Sequence, residues 1–141
     1  MRPSTRRRID RVLKALERID KLVAMGLDEL LENELEPLLE REVEVVIQGL
    51  LDIGEFIISY KGFEPPSKYS DVGRILAKHN VLDKESAETL VRLARLRNII
   101  VHLYADIDYE LLFEHASQLR SDARNILHKL IDYIERNNID P

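Results

Sequence analysis

Apolar residues near the start of the chain recur at three- and four-residue steps: Ile9, Val12, Leu13, Leu16, Ile19, Leu22 and Val23. Such steps place side chains on one face of a helix. Ser4 or Thr5 offers an oxygen suited to cap that helix, and Gly26 suits its end. The acidic stretch from Leu27 to Glu36 has room for a short helix. Pro37 fits the first turn of the next one, where its missing N–H costs nothing. This second helix runs to about Tyr60. Its apolar set, including Leu39, Val43, Val46, Ile47, Leu50, Leu51, Ile57 and Ile58, is wide enough to face two neighbours at once.

The segment from Gly62 to Ser70, with Pro65-Pro66 at its centre, cannot be helical and reads as the main loop. A short helix follows from Ser70 to His79. Asp83 caps a further helix from Lys84 to about His102, and Asp106 or Asp108 caps the last, which runs to about Arg136. No strand pattern stands beside these. The expectation is an all-α fold, an up-and-down bundle of four main helices plus one short extra helix. At 141 residues the chain fits one helical domain, 1–141.

Composition narrows the chemistry. The absence of cysteine removes disulfides, thiolate metal sites and thiol nucleophiles. The basic start, MRPSTRRRID, is not followed by an apolar run long enough for a signal peptide, and nowhere do about 18 apolar residues run uninterrupted. The expectation is a cytoplasmic protein without a membrane segment. A net charge of -5 argues against a broad phosphate-tracking surface and leaves room for a local basic pocket. Arg6, Arg7, Arg8 and Arg11 read as a solvated helix face.

The informative stretch is LVRLARLRNIIVHLYADID, from Leu90 to Asp108. On a helical wheel Leu90, Leu93, Ala94, Leu96, Ile100, Val101 and Leu103 form one apolar arc, and Arg97 lies near its middle. A guanidinium facing a core needs a carboxylate, a wet cleft or a subunit interface. Asn98 and His102 form an i, i+4 pair, a spacing that lets the amide orient the imidazole. Tyr104 follows Arg97 by seven residues. Ile99 falls on the otherwise polar side, where a partner or second copy would cover it. By residues alone, two readings stand level: a site, or a structural ion pair of Arg97 with Asp52 or Glu55. His79, His115 and His128 stand singly and read as ordinary surface or capping residues. No pair of histidines has metal-ligand spacing, and the many glutamates of the second long helix read as solvated or ion-paired.

Arg97-Asn98-Ile99-Ile100-Val101-His102-Leu103-Tyr104 resembles the signature of HEPN ribonucleases, an Arg followed after four to six residues by His. Tyr two residues beyond the His is similar to the HepT toxin branch. LLDIGEFIISYKGFEPP, from Leu50 to Pro66, and the following SDVGRILAKHNVL are similar to the helix, loop and short helix before the motif in that branch. The resemblance covers the chain from about Glu42 to the last helix, and the N-terminal helix matches in type only.

This resemblance implies the toxin component of a toxin-antitoxin pair, a metal-independent endoribonuclease without cofactor, acting on RNA as a homodimer. It implies His102 as general acid or base, Arg97 as phosphate binder, Asn98 as an orienting group, and Tyr104 as acceptor of adenylyl groups from a cognate minimal nucleotidyltransferase antitoxin. The competing expectation is a non-catalytic helical module that docks on a nucleotidyltransferase and aids its nucleotide binding.

Overall fold

Proline opens the first helix: α1 (Pro3–Met25) carries Pro3 in its first turn, where no intrahelical donor is needed. The chain continues through α2 (Leu27–Glu32), α3 (Glu36–Lys61), α4 (Ser70–Lys78), α5 (Lys84–His102) and α6 (Tyr109–Arg136), with no strand among the described residues. The structure is a computed structural model; it describes residues 1–102 and 108–140, and at residues 101 and 102 the backbone alone. Four long helices form the bundle. The acidic stretch folds as α2, so two short helices, α2 and α4, accompany them.

The up-and-down arrangement follows from which residues meet. Val12 of α1 packs at Gly49 of α3, while Arg18 pairs with Glu42 and Arg8 lies over Phe56. Position rises along α1 as it falls along α3, so the two run antiparallel. Asp20 is held by Arg124 at 2.6 Å, and Thr5 meets Asp140, which sets α6 antiparallel to α1 in the same way. α3 is the central element, with Leu39, Val43, Val46, Ile47, Leu50, Leu51, Ile53 and Ile57 buried against α1, α5 and α6. Truncating one of these to Ala removes about 2–5 kcal/mol of stability.

Thr5 does not cap α1. The helix starts at Pro3, two residues earlier than its apolar pattern implies, and the Thr5 hydroxyl donates instead to the Asp140 carboxylate. The Arg2 N–H donates to the Asp140 carbonyl at 3.0 Å, and its guanidinium pairs with the same carboxylate at 3.0 Å. Folding the chain ends together thus satisfies a buried carboxylate that would otherwise be costly. At the other boundaries side-chain chemistry acts locally. Asp83 accepts from the Ser86 N–H at 3.2 Å, and Asp108 accepts from the Leu111 N–H at 3.1 Å. Gly62 closes α3 in the left-handed region at φ 71°, letting the Phe63 N–H reach back to the Ile58 carbonyl at 3.0 Å.

Candidate active site

On α5 the described part of the expected apolar arc is present: Leu90, Leu93, Ala94 and Ile100 are buried and Leu96 is half-buried, while the Val101 side chain and Leu103 lie outside the described residues. Arg97 sits in this arc, half-buried, and Ile99 on the opposite edge is 53% exposed. What holds Arg97 is an aromatic ring. Its guanidinium carbon lies 5.2 Å from the centroid of the Tyr69 ring, a cation–π contact. Among the described residues no carboxylate comes within ion-pair distance of Arg97, and its buried Nε has no hydrogen-bond partner.

Tyr69 reaches this position because both ends of its loop are fixed. Asp71 accepts from the backbone N–H groups of Ser67 at 3.2 Å and Lys68 at 3.3 Å, tying down the two residues before the tyrosine. At the far end the Phe63 ring stacks on the His79 ring, centroids 3.7 Å apart and 5° from parallel. Glu64 pairs with His79 Nε2 at 2.9 Å and with Lys78 at 3.4 Å. The His79 hydrogen bond, then the backbone N–H of Glu64 itself and the Lys78 charge, hold the Glu64 carboxyl at about 2, well below the ordinary 4.5. The approach of α4 to α5 supplies the rest. A Cβ on Gly73 would lie 2.7 Å from the Ala87 carbonyl oxygen, so only glycine lets the helices come this close.

Neither carboxylate proposed from sequence as a structural partner for Arg97 is placed on it. Asp52 accepts from Gln48 Nε2 at 2.8 Å. Glu55 is half-buried, and desolvation, with the neighbouring Asp52 charge, pushes its carboxyl above the ordinary range. Asn98 is exposed beside Arg97. His102 is the last residue of α5, five positions on from Arg97 along the same helix; its side chain, and all of Tyr104, lie outside the described residues. Tyr69 is the residue that sequence reasoning missed. It stands 28 positions before Arg97, and no spacing rule links a loop tyrosine to a later helix.

Hollows also lie elsewhere along the bundle. A groove of about 730 Å³ between α1 and α3 is lined by Arg8, Arg11, Arg41, Glu44, Asp52 and Glu55 among others, and does not include Arg97. A cleft of about 450 Å³ between α5 and α6 includes Thr89, Arg92, His115 and Asp122. His128 is solvent-exposed, as its isolated position implied, whereas His79 is stacked on Phe63 and paired with Glu64 rather than lying free on the surface.

The family model described as "Ribonuclease HepT-like" matches residues 12–130. The chain belongs to the HepT-like ribonuclease family. Endoribonuclease of the HEPN type is accordingly its enzyme class. A protein of Archaeoglobus fulgidus, provisionally assigned as an RNase, is 28% identical over 90 residues, which is 64% of this chain and 67% of the relative. In fold the chain is similar to a tri-AMPylated HEPN toxin of Shewanella oneidensis solved in complex with its MNT antitoxin: TM-score 0.84, 17% identity, 94% of this chain and 99% of that one. It is also similar to YutE of Bacillus subtilis, a cytosolic protein of unknown function, with TM-score 0.74, 20% identity, and coverage of 94% and 93%. The HepT-like assignment spans both α3 and the motif on α5. No helix among the described residues is long and apolar enough to cross a membrane.

Proposed function

We propose that this HepT-like protein is the toxin of a toxin-antitoxin pair and cleaves RNA without a metal, through its Arg97 to Tyr104 motif. The observation that carries the reading is the state of Arg97: a half-buried cation steadied by a ring, its Nε without a hydrogen-bond partner and no carboxylate paired to it among the described residues. A guanidinium so held keeps its hydrogen-bonding edge for an incoming anion, and two parallel N–H donors fit two phosphate oxygens. It would also stabilise the charge that builds on those oxygens as phosphorus becomes five-coordinate.

RNA supplies its own nucleophile. A base removes the proton of the 2′-hydroxyl, its oxygen attacks the adjacent phosphorus, the bond to the 5′-oxygen breaks, and an acid protonates that leaving oxygen. The products carry a 2′,3′-cyclic phosphate and a 5′-hydroxyl. His102 takes one of the two proton-transfer roles, its ordinary pKa of about 6.5 being suited to work near neutrality. Asn98 orients the imidazole or the substrate. The second proton-transfer group comes from the other copy of a homodimer. An exposed Ile99 beside the motif supports a second surface covering this edge.

Tyr104 is the proposed acceptor of AMP from a nucleotidyltransferase antitoxin, the phenol oxygen displacing pyrophosphate from ATP. The added phosphate places negative charge beside Arg97 and blocks access to it. The AMPylated state of the structurally similar Shewanella toxin supports this reading.

Purified protein incubated with total RNA in excess chelator tests the proposal. Wild type leaves cyclic-phosphate ends, while Arg97→Ala and His102→Ala leave the RNA intact. Cleavage that persists in His102→Ala, or stops in chelator, overturns it. An intact-mass gain of one or more AMP units after co-expression with a nucleotidyltransferase, lost in Tyr104→Phe, tests the modification.

A further inference from the structure

The chain is acidic overall, yet its cations are gathered at one end. Between Arg2 and Lys21 stand eight basic residues against three acidic ones, in a chain whose net charge is -5. On α1 five of them, Arg7, Arg11, Lys14, Arg18 and Lys21, follow one another at alternating four- and three-residue steps. That spacing keeps them on one stripe of a helix, within about 40° of its mid-line and roughly 21 Å from end to end. All five are exposed, and the buried residues Val12, Leu16 and Ile19 take the far side of α1. Arg18 is shared with Glu42 at 3.6 Å. Arg7, Arg11, Lys14 and Lys21 are in no ion pair among the described residues.

Carboxylates border the stripe on both sides. Asp10 and Glu17, with Arg6 beyond them, lie along one flank, a further turn of about 60–80° round the helix. The groove beside α3 lies along the other. Its α1 wall adds Arg8 over the Phe56 ring, and its α3 wall carries Arg41 among three carboxylates, Glu44, Asp52 and Glu55.

We propose that this stripe of α1 holds a single-stranded tract of RNA by its phosphates, away from the Arg97 motif. The inference rests on the ribonuclease reading above and gives the substrate a second place of contact. One row of cations matches one row of phosphates, and pairing them releases the counterions that a polyanion carries. A duplex presents two rows, and its second row would fall against the carboxylates on either side. α1 packs on α3 and α6, and α5 packs on the same two helices, so the stripe and Arg97 face different sides of the bundle. A strand that engages both passes round at least two helix diameters, about 20 Å, which a trinucleotide does not span.

The test uses the full chain and two double variants of equal charge: Arg7→Gln with Lys14→Gln on the stripe, and Lys61→Gln with Lys84→Gln at exposed positions elsewhere. Glutamine is a good helix former at each place. A labelled strand of about 20 nucleotides carrying 2′-O-methyl groups lacks the nucleophile, so its binding is read apart from cleavage. The stripe variant should bind it at least fivefold more weakly than wild type. The slope of log affinity against log salt should fall by about 1.4, at roughly 0.7 for each lost phosphate contact. The other double variant should stay within twofold of wild type. With cleavable RNA of the same length the stripe variant should raise KM by a similar factor at unchanged kcat, and should cleave a trinucleotide as wild type does. Wild-type affinity in the stripe variant, an equal loss in the other variant, or a duplex held as tightly as the strand overturns the stripe and leaves the ribonuclease reading standing. Unchanged RNA affinity with lost binding to a nucleotidyltransferase assigns the stripe to a protein partner and also overturns the inference. Binding of the strand that depends on the stripe, with no cleavage of RNA, overturns the ribonuclease reading instead and leaves the stripe standing.

Discussion

The Arg97 guanidinium carbon stands 5.2 Å from the centre of the Tyr69 ring, and the two residues belong to different segments: a loop end before α4 and the last turns of α5. The ring offers the cation a negative face without offering it a competing anion. A carboxylate in that place would neutralise Arg97 and repel phosphate. An aromatic ring steadies the side chain and leaves its charge available.

Replacing Tyr69 therefore tests positioning separately from chemistry. A contact of this kind contributes about 0.5–2 kcal/mol, so Tyr69→Ala should lower kcat/KM for RNA cleavage roughly 3- to 30-fold. Tyr69→Phe should stay close to wild type, since the ring and not the hydroxyl makes the contact. Equal activity of Tyr69→Ala and wild type would show that the ring does not hold Arg97 for catalysis.

Gly73 governs the same contact from a distance. A Cβ there meets the Ala87 carbonyl oxygen at 2.7 Å, and a helix backbone cannot step aside as a flexible side chain can. Gly73→Ala should lower the free energy of unfolding by about 1–3 kcal/mol, read from the urea midpoint. The same Cβ would lie 3.0 Å from Val91 Cγ2, and adding Val91→Ala should not recover the loss, because the backbone clash remains.

Asp108 returns the chain to the bundle after the motif. Its carboxylate accepts the Leu111 N–H, one of the four donors that a helix start leaves without a partner. Asp108→Ala should destabilise the fold by about 1 kcal/mol, and Asp108→Asn should lose less, since the amide oxygen still accepts. Chemical denaturation of the three proteins checks the order.

The Glu64 carboxyl, held at about 2 by the His79 hydrogen bond, its own backbone N–H and Lys78, gives a pH test of the loop that carries Tyr69. A carboxyl whose folded value lies below its unfolded one contributes stability that is full above about 4.5 and is lost as pH falls toward about 2. In a carbon NMR titration its signal should stay flat from pH 6 to pH 4, and His79→Ala should bring the titration up into that range. A Glu64 signal that already moves near pH 4.5 in wild type contradicts the pairing.

Much of the architecture is written in local pattern. The long helices appear where apolar residues recur at helical steps, Gly62 and Asp108 act at the boundaries through their own backbone and side-chain chemistry, and Ile99 is exposed because its position on the wheel is polar. The motif Arg97 to Tyr104 is likewise one continuous stretch, so its residue types and spacing are legible without coordinates. Thr5 and Tyr69 are different. A hydroxyl that resembles a cap meets a carboxylate 135 positions later, and a loop ring meets a guanidinium 28 positions later. Short-range spacing encodes helices because each turn is fixed by neighbours in the chain. Contacts between distant segments depend on how α4 packs on α5 and how the chain ends close over each other, and only the tertiary structure decides those.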